Sequence, residues 1–264
     1  MSKRIIVVTG ASSGMGKEFV YQIIKKEPVD EIWLIARRKE RLDQLAHEIS
    51  IKSKVLSLDL SSKEDLNTYK VMLEKENVEI VILANCAGYG KIDHYENINH
   101  ETTMNMMDLN MKAIVTMIDY SLPYMVKGSK IMNLASCSGY LPIPYLNVYA
   151  ASKAFVLNYS RALNRELKYR GIHVLAVCPY WVHTEFFKRA QDQQSQDVFR
   201  FYGKIYQAQP VINKAIKDLY RKRDVSLYGV INKFQIFLVK ILPMNLVMNV
   251  WLKIQNLHGE KNIK

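Results

Sequence analysis

Short apolar runs recur along the first two thirds of the chain, and stretches with helical spacing separate them. Ile5–Val8, Glu31–Ala36, Val55–Leu58 and Ile80–Leu83 read as strands. Gly16–Lys26, which ends before Pro28, then Lys39–Ile49 and Lys63–Lys75 read as the helices between them. Strands at Lys130–Leu134, Ile172–Cys178 and Asp224–Tyr228 continue the series, with helices around Glu101–Tyr124 and Val148–Tyr169. A strand that is apolar at nearly every position is buried on both faces. A helix after each strand lets the next strand run parallel to it. The pattern predicts one doubly wound α/β domain with a mostly parallel sheet of about seven strands. At 264 residues and 49% hydrophobic content, the chain can fill one such core. No internal repeat or second domain boundary interrupts it.

The first strand runs into Thr9-Gly10-Ala11-Ser12-Ser13-Gly14-Met15-Gly16. Glycines in a strand-to-helix turn let backbone N–H groups approach a pyrophosphate, and the helix N-terminus adds its partial positive charge. A tight turn with no ligand would also use three glycines. Cofactor selectivity is read at the end of the second strand, where a carboxylate suits the ribose hydroxyls of NAD. This chain has Ala36-Arg37-Arg38 there, and a guanidinium suits a 2′-phosphate through paired hydrogen bonds. NADP(H) is therefore favoured over NAD(H), against the alternative of a solvated basic helix start. After the third strand come Asp59 and Leu60. Asp59 is either an acceptor for an adenine amino group or a helix cap.

Further features fall in a fixed order. Asn85-Cys86-Ala87-Gly88 follows the fourth strand, and Leu109-Asn110-Met111 lies in the next helix. Ser136 ends the following strand, 13 residues before Tyr149-Ala150-Ala151-Ser152-Lys153. With the glycine loop, these resemble the motifs of the short-chain dehydrogenases/reductases over residues 4–185. The resemblance implies a Rossmann-type fold and interconversion of an alcohol and a carbonyl with a nicotinamide cofactor. It implies catalytic roles for Asn110, Ser136, Tyr149 and Lys153. For the cofactor it implies contacts from Thr9, Gly10, Ser12, Ser13, Gly14, Met15, Gly16, Arg37, Arg38, Asp59, Leu60, Asn85, Ala87, Gly88, Tyr149, Lys153, Pro179, Val182 and Thr184.

The chemistry can also be argued from the residues. Tyr149 and Lys153 are four apart on a helix and share one face. A cationic Lys153 favours the phenolate, which predicts a lowered Tyr149 pKa. Ser136 can hydrogen-bond a substrate oxygen as charge develops on it. By the resemblance, Lys153 also binds the nicotinamide ribose, and Asn110 holds a water that links Lys153 to solvent. One departure from the family is Pro179-Tyr180-Trp181-Val182-His183-Thr184, in which Tyr180 replaces the usual glycine. Ser138, Tyr140, Tyr145, Tyr180 and Trp181 are the candidate substrate residues. His183 reads as an exposed loop residue.

The net charge is +12, of which the last 79 residues, with 14 Lys/Arg against 5 Asp/Glu, carry +9. No nucleic-acid module accompanies that charge. Cys86, Cys137 and Cys178 are too scattered for a disulfide framework or a metal site, and a reducing compartment is the expectation. The opening apolar run is too short for a secretory signal, and no stretch reaches the roughly 18–20 apolar residues of a spanning helix.

Residues 1–228 are expected to form the dinucleotide-binding catalytic domain, with polar residues 186–223 as a substrate lid. Residues 229–264 are expected to be a helical extension of the same domain. Apolar residues at three-to-four spacing on either side of Pro243, punctuated by Lys233, Lys240 and Lys253, predict two amphipathic helices. Three uses compete for them: covering the substrate cleft, packing in a dimer, or lying in a membrane interface through 229–257. The expected protein is cytoplasmic or peripheral to a membrane, and the resemblance implies a dimer or tetramer. Its expected activity is NADP(H)-linked interconversion of a ketone and a secondary alcohol, with a bulky lipophilic substrate that is steroid-like or long-chain acyl. A non-catalytic nucleotide-binding scaffold on the same fold is the alternative.

Overall fold

A computed structural model describes residues 2–191 and 198–257. Residue 1, residues 192–197 of the expected lid and residues 258–264 of the expected extension lie outside the described residues. The elements run β1 (Lys3–Thr9), α1 (Gly14–Ile23), β2 (Glu31–Ala36), α2 (Lys39–Glu48), β3 (Ser53–Ser57), α3 (Lys63–Lys75) and β4 (Val78–Asn85). Then come α4 (His100–Met107), α5 (Ala113–Ser121), β5 (Lys130–Leu134), α6 (Asn147–Glu166) and β6 (His173–Cys178). The chain closes with α7 (Phe186–Ala190), α8 (Ala208–Tyr220), β7 (Val225–Leu227), α9 (Val230–Ile241) and α10 (Met244–Ile254).

The strands form one seven-stranded sheet in the order β3-β2-β1-β4-β5-β6-β7, every pair parallel. The chain starts in the middle, winds outward to β3, returns to β4 and winds outward the other way. The winding reverses between β1 and β4, so the loops leaving their C-terminal ends diverge and open a crevice. The glycine loop leaves β1 there, and Asn85–Gly88 leaves β4.

Alternate residues of β1 divide the core. Ile5 and Val7 pack with Tyr69 of α3, Met117 of α5 and Val156 of α6. Ile6 and Val8 pack on the opposite face with Phe19 of α1, Leu45 of α2 and Ile216 of α8. A third apolar cluster lies above the strand ends. It joins Ile92, Ile143, Leu146 and Phe199, with Trp181 and Trp251 packed against it.

The lid expected at 186–223 is corrected in its second half. Residues 208–220 form α8, which buries Val211, Ile212, Ala215, Ile216 and Leu219 and belongs to the core. The helix expected over 101–124 is divided. Between α4 and α5, Asp108–Lys112 makes a wide π-type turn in which the Ala113 N–H reaches back five residues to the Asp108 carbonyl. The break expected at Pro243 separates α9 from α10. Among the described residues no helix is long and apolar enough to cross a membrane.

Candidate active site

Two hollows meet above the C-terminal edge of the sheet. The first is a cleft lined by the glycine loop, the end of β2, the turn after β4 and the loop after β6. The second is an apolar cavity of about 360 Å³ beneath α9 and α10. Tyr149, Pro179, Thr184, Phe186 and Met15 line both and form the wall between them.

Most of the expected cofactor residues line the first cleft: Gly10, Ser12, Ser13, Gly14, Met15, Gly16, Arg37, Arg38, Asp59, Leu60, Ala87, Gly88, Tyr149, Lys153, Pro179 and Thr184. Three do not. Thr9 points into the fold, where its Oγ1 accepts from the Cys86 and Ala87 N–H groups at 3.0 and 3.1 Å. It fastens the two strand ends that border the crevice. Asn85 is buried in a ladder: it donates to Asn133 at 2.9 Å, and Asn133 donates to Ser160 at 2.9 Å. Val182 faces the second cavity.

The cleft has the donor chemistry that a dinucleotide requires. Gly10 has φ 66°, and a Cβ there would lie 2.8–2.9 Å from the backbone of Cys86 and Ala87. Only glycine lets the loop pass that close. Ser13 precedes α1, yet its side chain does not cap the helix, and the first turn contains no acid. The first-turn N–H groups and the positive end of the helix dipole therefore stay available to a phosphate.

Glu185, absent from the sequence expectations, crosses the cleft mouth. Arg38 donates to it at 2.8 Å and also to the hydroxyls of Ser13 at 2.9 Å and Ser12 at 3.2 Å. Arg41 pairs with the same carboxylate. Hydrogen bonds from Arg41 and then Arg38 outweigh burial and hold the Glu185 pKa down at about 2. Asp59 is not the helix cap, because Ser62 caps α3; it makes a local turn instead. It accepts from the N–H and hydroxyl of Ser61 at 3.0 and 2.7 Å, while Arg37 approaches at 3.5 Å.

α6 carries Tyr149 and Lys153 on one face, and Ser136 comes from the end of β5. Lys153 is 2% exposed, and its Nζ donates to the Leu134 carbonyl at 2.7 Å and sits 5.6 Å from the centre of the Tyr149 ring. Ser136 lies beside Tyr149, where its hydroxyl favours the phenolate, and accepts from the Ser138 N–H at 3.1 Å. The lowered Tyr149 pKa expected from Lys153 is not what this geometry gives. Burial pushes the phenol well above its usual value and outweighs the opposing hydrogen bond from Ser136. The ammonium is itself desolvated, which lowers its pKa to about 8, and it is directed at a carbonyl.

Asn110 is fully buried in the π-type turn. Its amide donates to the Tyr89 carbonyl at 2.8 Å and to Ser152 at 3.1 Å, and its Oδ1 accepts from the Tyr89 N–H at 3.1 Å. It thus clamps the turn after β4 against α6. A Cβ on Gly88 would lie 2.9 Å from Asn110 Oδ1 and 3.4 Å from Lys153 Nζ, so the missing side chain lets the two groups converge.

Of the expected substrate residues, Ser138, Tyr180 and Trp181 line the apolar cavity, as does Ser136. Two are corrected. Tyr140 turns into a neighbouring basic cleft, where Lys240 lies 5.2 Å from its ring centre. Tyr145 adopts φ 65° and packs its ring against His94 at 4.8 Å. The rest of the cavity comes from Ile143, Leu146, Phe186 and the inner faces of α9 and α10, including Ile236, Val247 and Trp251. Covering the cleft is thus one use of the C-terminal helices. His183 is exposed, as expected.

Burial of Lys153 has a measurable signature. Between pH about 8 and 10.5 the folded protein has lost this proton while the unfolded chain still holds it, so stability rises with pH. Relative to Lys153→Met, the unaltered protein should gain on the order of 2 kcal/mol from pH 8 to pH 10. Urea midpoints of the two proteins across that range check this. A constant difference would contradict it. Above pH 10 the raised Tyr149 pKa acts in the opposite sense.

The short chain dehydrogenase family matches residues 4–195. The very-long-chain 3-oxoacyl-CoA reductase of Anas platyrhynchos is 31% identical over 265 residues, covering 94% of this chain and 78% of its own length. The Homo sapiens protein of the same name is 29% identical over 254 residues, covering 92% and 74%. A short-chain dehydrogenase from Sphingobium yanoikuyae, solved in complex with NADPH, is 25% identical with a TM-score of 0.73, covering 91% of this chain and 96% of that one. With that match over residues 4–195 and this arrangement of sheet, glycine loop and Tyr149–Lys153 pair, the chain belongs to the short-chain dehydrogenase family of oxidoreductases.

Proposed function

We propose that the protein reduces a bulky lipophilic ketone, of the long-chain acyl kind, to a secondary alcohol at the expense of NADPH. The observation that carries this reading is the position of Tyr149. It stands with Ser136 where a cleft rich in phosphate donors opens onto an apolar cavity. A nicotinamide cofactor held in the first cleft by the glycine loop and Arg38 would supply the hydride that the carbonyl carbon receives. Ser136 and Tyr149 hold the carbonyl oxygen by two hydrogen bonds, and Tyr149 delivers its proton to that oxygen as negative charge develops. A phenol with a raised pKa keeps its proton throughout neutral pH, which suits a donor in the reducing direction. Lys153, cationic below pH about 8, lies beneath the ring, where it stabilises the phenolate left after transfer. Asn110 positions the turn that borders Lys153.

Arg38 supports the preference for NADP(H), because its guanidinium is held over the glycine loop by Ser12 and Ser13. The names of the similar reductases and the aliphatic lining of the cavity support the acyl chain. A homo-oligomer through α5 and α6 is part of the same reading. Phe155, on α6, is exposed and stacks on Tyr159 at 5.6 Å.

The direct test is oxidation of NADPH and NADH over a panel of small, steroid and long-chain 3-oxoacyl ketones. Turnover should be highest with NADPH and the long-chain compounds, and no turnover with any ketone or alcohol would refute the reading. Arg38→Ala should raise KM for NADPH roughly 10–100-fold, the loss expected for charge-assisted hydrogen bonds to a phosphate, and leave KM for NADH nearly unchanged. An equal rise for both cofactors would remove Arg38 from selectivity.

A further inference from the structure

The first of the two C-terminal helices, α9, has two apolar faces. The inner face lines the cavity. The outer face is open to solvent, and its side chains are large: Val230 is 82% exposed, and Ile231, Phe234, Phe237 and Ile241 are all more than half exposed. α10 buries no residue completely. An apolar face of this extent on a chain in water calls for a partner.

The charge beside it indicates which partner. From Val225 to Leu257 the sequence contains no Asp or Glu. Next to α9 lies a cleft that includes Arg221, Arg223, Lys233 and Lys240. Its two acids are engaged elsewhere, Asp218 with Lys214 and Asp224 with Arg161. The four remaining cations have no acidic partner among the described residues. A second copy of the chain would bring the same cations to the interface and repel. An anionic bilayer offers both an apolar layer and a sheet of phosphates.

We propose that α9 and α10 lie in the interface of an anionic lipid membrane, with Phe234 and Phe237 inserted and the neighbouring basic cleft on the headgroups. A second feature gives this orientation a use. Leu242, Leu246, Val250 and Ile254 line the cavity and are also exposed. The cavity therefore opens along the seam between the helices, on the face turned to lipid, and a ketone dissolved in the bilayer reaches Tyr149 without crossing water. This second part rests on the ketone-reductase reading. The docking itself does not.

The test uses the full chain. At physiological salt the protein should float with vesicles of phosphatidylcholine and phosphatidylglycerol. Binding should fall about tenfold or more on pure phosphatidylcholine, since each basic residue near an anionic surface contributes about 1 kcal/mol. Phe234→Ser with Phe237→Ser, both exposed and outside the cavity lining, should abolish flotation. That pair should also raise KM severalfold for a vesicle-embedded ketone and leave KM for a water-soluble ketone unchanged. Failure of the unaltered protein to float overturns docking whether or not the enzyme is active. Equal binding to neutral vesicles overturns the role of the cations. A dimer in solution that cross-links through position 234 assigns the face to a second copy and overturns the proposal. Equal KM shifts for both ketones overturn entry from the bilayer while leaving the flotation result standing.

Discussion

Tyr149→Phe should lose turnover by about 10²–10⁴-fold, the span expected when a positioned general acid is removed, and should bind NADPH with nearly unchanged affinity. Phenylalanine keeps the ring, so its packing against Phe186 at 5.2 Å and the shared wall between the two hollows persist. What is lost is the hydroxyl beside Ser136, with its proton. Single-turnover measurements with NADPH, alongside fluorescence titration of the cofactor, separate the two effects. Retained turnover would mean that another group supplies the proton. Loss of cofactor affinity together with turnover would mean that the hydroxyl serves mainly to shape the cleft.

Gly16→Ala is expected to act on the fold as much as on the site. A Cβ at this position would lie 2.3 Å from the Gly10 carbonyl oxygen and 2.8 Å from its carbon, both backbone atoms. Relief requires α1 to move away from the loop, but Phe19, Val20 and Ile23 on that helix are locked into the core. The cost should reach about 3 kcal/mol or more, the upper part of the range for overpacking. In a domain of this size that lowers Tm by roughly 6–12 °C. Calorimetry with and without NADPH checks both parts, since the cofactor should also stabilise the variant less than the parent. A variant as stable as the parent would show that the loop and helix are less tightly coupled than their contact implies.

The elements that could be read from residue patterns are those whose limits are chemical. β2 and β5 occur at the expected residues because each is an apolar run with polar flanks. α3 begins at Lys63 because Ser62 accepts a hydrogen bond from the Asp65 N–H, so the cap falls three residues after Asp59, the candidate the sequence offered. α8 lies in the polar stretch read as a lid, and it contains Pro210, a residue that breaks helix interiors. The proline occupies the first turn, where its missing N–H has no partner to lose. The spacing of Val211, Ile212, Ala215, Ile216 and Leu219 is nonetheless helical.

The site divides in the same way. The glycine loop, Ser136, Tyr149 and Lys153 converge because each is tied to the end of a strand or one face of a helix. Tyr140 and Tyr145 lie in the irregular chain between β5 and α6, where no period says which way a ring turns. Thr9 and Asn85 belong to motifs that border the cleft, yet their side chains fasten the strands beneath it. Glu185 had no pattern to announce it. Its partners Arg38 and Arg41 lie more than 140 residues away in the chain, and only the folded loop brings them together.

Glu185 joins the loop after β6 to the start of α2 through ion-paired hydrogen bonds. The two guanidinium groups hold its carboxyl pKa down at about 2, so the carboxylate keeps its charge across the neutral range. The three side chains are partly open to solvent, where mobile ions weaken attraction between charges. Nucleotide traffic through the cleft mouth should therefore respond to the ionic strength of the surroundings and stay deaf to their pH.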